Sequence, residues 1–274
     1  MNDMLILLRS TLFNIWFVLV TIVVAGSGTP CRWIGKRHAL WFAQTWAGLV
    51  LDGAATICGI RVVVTGREHL PADGAALIAS QHQSAFDTLI WLRLVPRVAY
   101  VFKAELARVP LFGPLLVPAG QIPVERGGIN AIRTLLRGAD RAKADGRQIV
   151  VFPEGTRVSH GEEVALRQGI ALLAARTGLP VIPVATDSGL RWSRRAFRKL
   201  PGPVHIAIGP PIPHDLPAAD LLAELRAGWR AAELTMPVDN SVHEQVAKRV
   251  ASRDRRPRVR NITVPCRYVD GETS

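Results

Sequence analysis

The chain has 274 residues, of which 49% are hydrophobic, and a formal net charge of +12. That length suits one large domain with an appendage. High apolarity with strong basicity argues against an ordinary soluble enzyme, and against nucleic acid as the partner, which accounts only for the charge; an anionic membrane surface accounts for both. Cys31, Cys58 and Cys266 are far apart and odd in number, so they form neither a disulfide framework nor a metal site, and a reduced, cytosol-facing domain follows.

Residues 4–25 are apolar except for Arg9, Ser10, Thr11, Asn14 and Thr21. A bilayer span needs about 20 such residues, so this segment is just long enough. A cleaved signal peptide is the competing reading, but Asp3 precedes the apolar run and no basic N-region is present. Arg32, Lys36 and Arg37 follow closely, so a spanning segment would have its C-terminal end in the cytoplasm. Gly26-Ser27-Gly28-Thr29-Pro30 reads as a breaker. A second apolar stretch, residues 39–59, carries Trp41 and Trp46, with Trp33 just before it. Arg37, Gln44 and Asp52 recur at spacings of seven and eight, which gives one polar stripe on a helix. Such a helix either lies in the membrane interface or packs on the domain that follows. One span and a helical hairpin dipping into one leaflet both fit.

From residue 60 strands alternate with helices. Residues 60–65, 75–79, 98–102, 121–124, 147–152, 181–185 and 204–208 read as strands. Residues 84–94, 129–144, 165–177 and 216–234 read as helices. The expected fold class is therefore α/β, a mainly parallel sheet flanked by helices and preceded by a membrane-associated helical hairpin. The expected domains are residues 1–59, the N-terminal membrane-associated region; 60–236, the α/β domain; and 237–274, a basic and flexible tail containing Arg253, Arg255, Arg256, Arg258 and Arg260. No repeat, P-loop, G-x-G-x-x-G or G-x-S-x-G is present.

The chemistry centres on Ser80-Gln81-His82-Gln83-Ser84-Ala85-Phe86-Asp87-Thr88. On one continuous helix, side chains five residues apart diverge by about 140°. His82 and Asp87 therefore meet only if the chain bends between them. Ser84 is an N-cap with Asp87 three residues on, which supplies that bend. A histidine held by a carboxylate is a general base with a fixed tautomer. Set against this, Asp87 completes a capping box and His82 ends a strand without any catalytic role. Arg126 and Glu154 also follow predicted strands, where ligands of α/β sheets bind. Arg126 is a phosphate grip or a partner of Glu125. In Phe152-Pro153-Glu154-Gly155-Thr156-Arg157, Gly155 allows close backbone approach and Arg157 adds a second cation. No His, Cys, Asp or Glu spacing suggests a metal.

His82-x4-Asp87, Gly120-x5-Arg126, Phe152-Pro153-Glu154-Gly155-Thr156-Arg157 and Val181-Ile182-Pro183-Val184-Ala185 occur in the order seen in glycerolipid acyltransferases. Residues 60–210 resemble the bacterial 1-acyl-sn-glycerol-3-phosphate acyltransferase family. Lys103-Ala104-Glu105-Leu106 and Pro110-Leu111-Phe112-Gly113 add to the likeness. Two features depart from the family pattern. Gln81 and Gln83 flank the histidine where asparagine is common beside it, and Glu125 stands where aspartate is usual before the arginine. The resemblance implies acyl transfer from an acyl carrier protein or coenzyme A thioester to a lysophospholipid hydroxyl, with no further cofactor. It makes His82 the base and Asp87 its orienting partner. Lys103, Arg126, Glu154, Gly155, Thr156 and Arg157 would hold the acceptor, and Pro183 would shape a nearby strand. It places the catalytic domain on the cytoplasmic side of a bacterial inner membrane. Lyso-ornithine lipid and glycerol 3-phosphate are the alternative acceptors. A non-catalytic module that binds anionic lipid is the alternative of another class.

Overall fold

The computed structural model describes residues 3–28, 36–109, 113–124 and 129–237. Two long helices lead, α1 (Asp3–Gly28) and α2 (Lys36–Cys58). The alternating pattern follows: β1 (Ile60–Thr65), β2 (Ala76–Ser80), α3 (Phe86–Leu94), β3 (Val98–Lys103), α4 (Gly113–Leu116), β4 (Ile122–Val124), α5 (Ile129–Ala144), β5 (Gln148–Val151), α6 (Gly169–Thr177), β6 (Val181–Thr186), α7 (Ser188–Arg191), β7 (Gly202–Ile208) and α8 (Ala218–Leu234). These elements form one packed unit ending at Pro237. Arg126, Glu125, Trp33, Cys31, Cys266 and the basic segment 253–260 lie outside the described residues.

Among the described residues seven strands form one sheet in the order β1-β7-β6-β2-β5-β3-β4. Every pair is parallel except β6 with β7. The central strand β2 is buried at all five positions, as a parallel strand covered on both faces must be. Its alternation divides the core. Ile78 faces the layer of α1, α2 and α3, packing with Val50, Ala54, Phe86 and Trp91. Leu77 and Ala79 face α5, α6 and α8, packing with Leu135, Leu173, Leu225 and Trp229. Pro183 sits in β6 opposite Ala79. Its ring lies where a side chain on Gly228 of α8 would stand, 2.9 Å away, so the helix approaches closely at that point.

The two N-terminal helices belong to the same core. On α1, Ser10, Phe13 and Val20 are buried, while Leu8, Leu12, Ile15, Leu19, Ile22 and Val23 are exposed. Trp16 donates to Leu49 O (3.0 Å) and Trp46 to Thr21 Oγ1 (3.0 Å), joining α1 to α2. The polar stripe of α2 is used for docking: Gln44 donates to Pro96 O (3.0 Å) and Asp52 pairs with Arg93 of α3. Thus α2 packs on the domain, with Trp41 left exposed. Helix α1 also runs three residues into the expected breaker, to Gly28, and Ser27 Oγ donates back to Val23 O (2.8 Å).

Candidate active site

β2, β5, β3 and β4 are parallel neighbours, so their C-terminal ends share one edge of the sheet. His82 lies two residues beyond β2, Glu154 three beyond β5, and Lys103 is the last residue of β3. Lys103 is exposed and stands in register with Val124, the end of β4. Arg126 follows Val124 by two positions in the sequence.

The chain bends between His82 and Asp87 as the spacing requires. Ser84 Oγ accepts from Phe86 N (3.1 Å), and Asp87 Oδ2 accepts from Ser84 N (2.8 Å). The Ser84 hydroxyl thus closes a side-chain turn to the residue two ahead, and Asp87 reaches back to the Ser84 amide, so the bend is held from both sides. The regular helix starts two residues later than expected, at Phe86, because Ser84 and Ala85 form the bend itself. Asp87 is almost fully buried. The same Oδ2 accepts from Gln83 N (2.7 Å) and meets His82 Nδ1 at 3.1 Å. A carboxylate only accepts, so Nδ1 is the donor, and Nε2 is left with the lone pair that can take a proton. Holding the bend and orienting the base are one arrangement here, since a single oxygen serves both. Ser84 is fully buried and its Oγ is engaged in this turn, which argues against Ser84 as a nucleophile.

The His82 backbone is pinned from the strand beside it. Glu154 Oε2 accepts from His82 N (2.7 Å), and Val158 N donates to His82 O (2.7 Å). The imidazole stacks on Phe152, with centroids 4.2 Å apart and planes at 22°, and Tyr100 stacks beyond Phe152. Burial pushes the Glu154 carboxyl up to about 8, against the lowering effect of the His82 amide. Gly155 turns with φ +69°, in the left-handed region that favours glycine. Thr156 is exposed and Arg157 half-buried. At the opposite, N-terminal edge of the sheet, before β4 and β5, Gly120 (φ +78°) leaves room for Arg147. An added methyl there would fall 1.7 Å from the Arg147 guanidinium, which donates to Val98 O (3.0 Å) and Ala119 O (2.6 Å).

Cys58 is buried, and burial pushes its thiol up to about 11, so it packs rather than reacts. Among the described residues no group of three His, Cys, Asp or Glu side chains is placed to hold a metal ion.

A family model described as Acyltransferase matches residues 61–187. A 1-acyl-sn-glycerol-3-phosphate acyltransferase of Pseudomonas aeruginosa is 31% identical over 183 residues, 66% of this chain and 71% of that protein. The chain belongs to this acyltransferase family. A Saccharomyces cerevisiae protein of the same name is also 31% identical, over 189 residues, 65% of this chain and 61% of its own length. The crystal structure of the 1-acyl-sn-glycerophosphate acyltransferase PlsC from Thermotoga maritima superposes with a TM-score of 0.67, over 84% of this chain and 99% of that one. At 21% identity that likeness speaks for the fold.

In this acyltransferase the two departures beside the histidine both have structural work. Gln83 Nε2 donates to Thr186 O (2.6 Å) and its Oε1 accepts from Gly189 N (3.1 Å). Gln81 Nε2 donates to Glu233 Oε1 (2.6 Å) and its Oε1 accepts from Thr186 N (3.0 Å). Together they tie the His82 loop to the end of β6 and to α8. Sequence reading assigned them no role. A shorter asparagine would not span the same gaps, and that length was the available signal. A second His–Asp pair, His205 Nδ1 with Asp187 Oδ2 at 2.6 Å, was also missed. It is buried and bridges residues eighteen apart across the antiparallel β6–β7 pair. No local spacing announces it.

Proposed function

We propose that this acyltransferase moves a fatty acyl chain from an acyl thioester to the sn-2 hydroxyl of 1-acyl-glycerol 3-phosphate, giving phosphatidic acid. The observation that carries the reading is the 3.1 Å contact of His82 Nδ1 with Asp87, in a loop held on both sides and in a chain of this family. The names of the Pseudomonas and yeast relatives support the choice of acceptor.

The thioester is already activated, so no acyl-enzyme is needed. What the site supplies is a nucleophile at neutral pH. His82 Nε2 takes the proton as the acceptor oxygen attacks the thioester carbonyl, and Asp87 stabilises the imidazolium that forms. The tetrahedral intermediate collapses, the C–S bond breaks, and the imidazolium returns its proton to the departing sulfur. Such a base contributes roughly 10²–10⁴ in rate, about 3–5 kcal/mol of barrier. Lys103, Arg126, Thr156 and Arg157 supply cations and a hydroxyl for the acceptor phosphate, and Gly155 lets backbone approach it. Glu154 reaches the acceptor through the base, whose amide it holds. The donor thioester is on acyl carrier protein or coenzyme A.

Helix α1 is long and apolar enough, by length and composition, to cross a membrane. Its contacts with the domain extend from Asp3 to Thr21, so a docked α1 lies along the domain with its exposed apolar face in one leaflet. The likeness to the bacterial Pseudomonas relative supports placing the domain on the cytoplasmic side of a bacterial inner membrane.

A panel of acceptors offered to detergent-solubilised protein with a labelled acyl thioester tests the reading. We expect kcat/KM for 1-acyl-glycerol 3-phosphate to exceed that for glycerol 3-phosphate or lyso-ornithine lipid by at least about tenfold. A preference for either of the others moves the acceptor and keeps the reaction. Lipid binding without acylation of any acceptor leaves only the non-catalytic module.

A further inference from the structure

The link from α7 to β7 is the acid-free run Trp192-Ser193-Arg194-Arg195-Ala196-Phe197-Arg198-Lys199-Leu200. Its two sides differ sharply. The inner side is fixed to α1. Trp192 meets Phe13 edge-on at 5.2 Å. Lys199 is buried, its amide donates to Ser10 Oγ (2.9 Å), and its Nζ lies 3.3 Å from Asn14 Oδ1 and 5.0 Å over the Trp192 ring. That ammonium is used internally, and burial lowers its pKa. The outer side carries Arg194 and Arg195, both exposed, and Phe197, 52% exposed. Arg198, half-exposed, reaches Asp3 at the start of α1 (3.4 Å). Arg195 is the one non-glycine residue with positive φ (+57°) among the described residues, a conformation that costs energy unless its surroundings impose it. At its near end the run joins the site: Arg194 Nη1 donates to Arg157 O (3.2 Å), in the turn that follows β5.

We propose that this loop is a docking surface for the phosphate headgroups of anionic phospholipid. Guanidinium groups bind phosphate oxygens bidentately, and the side chain of Phe197 inserts beside them at headgroup depth. The choice of a lipid rather than a free phosphate or an acidic protein rests on continuity. Arg198 of the run pairs with Asp3 (3.4 Å), the neighbour of exposed Met4, so the basic run meets α1 where its exposed apolar face begins. The proposal relies on α1 lying in a leaflet, as given above, and not on the identity of the acceptor. It places an anionic surface at the entrance to a site whose acceptor is itself an anionic lipid, with Arg194 linking the two.

The test is flotation of the full chain, diluted from detergent into vesicles of phosphatidylcholine alone or mixed with phosphatidylglycerol, at low and high salt. The comparison is wild type against the combined Arg194→Gln and Arg195→Gln variant. Both proteins should bind neutral vesicles alike through α1. At low salt the extra affinity for anionic vesicles should fall about 30-fold in the variant, roughly fivefold for each basic residue removed, and high salt should erase the difference. Phe197→Ser should weaken binding to both kinds of vesicle. Unchanged anionic preference in the double variant overturns the proposal. So does a loss of affinity for acyl carrier protein in the variant with vesicle binding intact, because the loop is then a protein surface. Failure of wild type to bind neutral vesicles overturns the placement of α1 and this surface with it. None of these readings depends on acyl transfer.

Discussion

Asp87→Asn is expected to lower kcat by about 10²-fold or more, with little change in the KM of either substrate. The carboxylate does three things through one oxygen. It orients His82 through Nδ1 at 3.1 Å, and it accepts the amides of Gln83 and Ser84 at 2.7 and 2.8 Å. An amide oxygen can keep the two backbone bonds and so keep the bend. It cannot stabilise an imidazolium by charge, and its NH2 group turned toward the ring would favour the wrong tautomer. Geometry and charge are thereby separated. Steady-state kinetics beside a thermal unfolding curve reads the split: a small change in Tm with a large fall in kcat is the expected pair. A rise in KM at constant kcat would mean that Asp87 binds substrate and does not act through the base.

Glu154 gives the second large effect, and here charge and position part in the other direction. Glu154→Ala leaves the His82 amide without its acceptor, which costs about 1–3 kcal/mol for a buried donor. It also frees the backbone that carries the base, so kcat should fall at least about tenfold. Glu154→Gln keeps an acceptor oxygen for that amide and should retain most of the activity. If the carboxylate instead gripped the acceptor directly, the Gln variant would show a raised KM. The same residue predicts a pH signature. Burial raises its carboxyl from 4.5 in the reference state to about 8 in the fold. The folded state then holds a proton that the unfolded state releases. The associated stability is complete below about 4.5, is lost progressively as pH rises, and is gone above about 8. Denaturant unfolding between these limits should show stability falling with pH in wild type, and the fall should be shallower in Glu154→Gln. Equal slopes in the two proteins would contradict a buried, protonated Glu154.

The parts of the molecule legible in the sequence are those with local causes. Strand β2 is a run of apolar residues because both its faces are covered. Helix α5 was readable to its ends because its apolar stripe packs on the sheet while the opposite face stays polar. The meeting of His82 and Asp87 was readable because the hydroxyl of Ser84 closes a local turn between them. What escaped reading depends on distant partners. Helix α6 starts at Gly169, four residues later than its pattern suggests, because Arg167 N is taken by Pro153 O (2.7 Å) and the chain there serves the turn after β5. The polar stripe of α2 left a place in the membrane interface and packing on the domain both open, and only the partners of Gln44 and Asp52 around α3 decide for packing. The bond of Glu154 to the His82 amide depends on the packing of β5 beside β2, which no local pattern carries. The antiparallel return of β7, with the buried Asp187–His205 pair across it, has no local signature at all.

The central claim is that His82 is the base for acyl transfer to a lysophospholipid hydroxyl. The most direct test incubates purified protein with a labelled acyl thioester and 1-acyl-glycerol 3-phosphate, with His82→Ala in parallel, and measures the diacyl product. Product from wild type that falls by at least about 10²-fold in the variant is the expected result. A His82→Ala enzyme as active as wild type would contradict the account, because the contacts of Asp87 and Phe152 with that ring would then have no part in the chemistry.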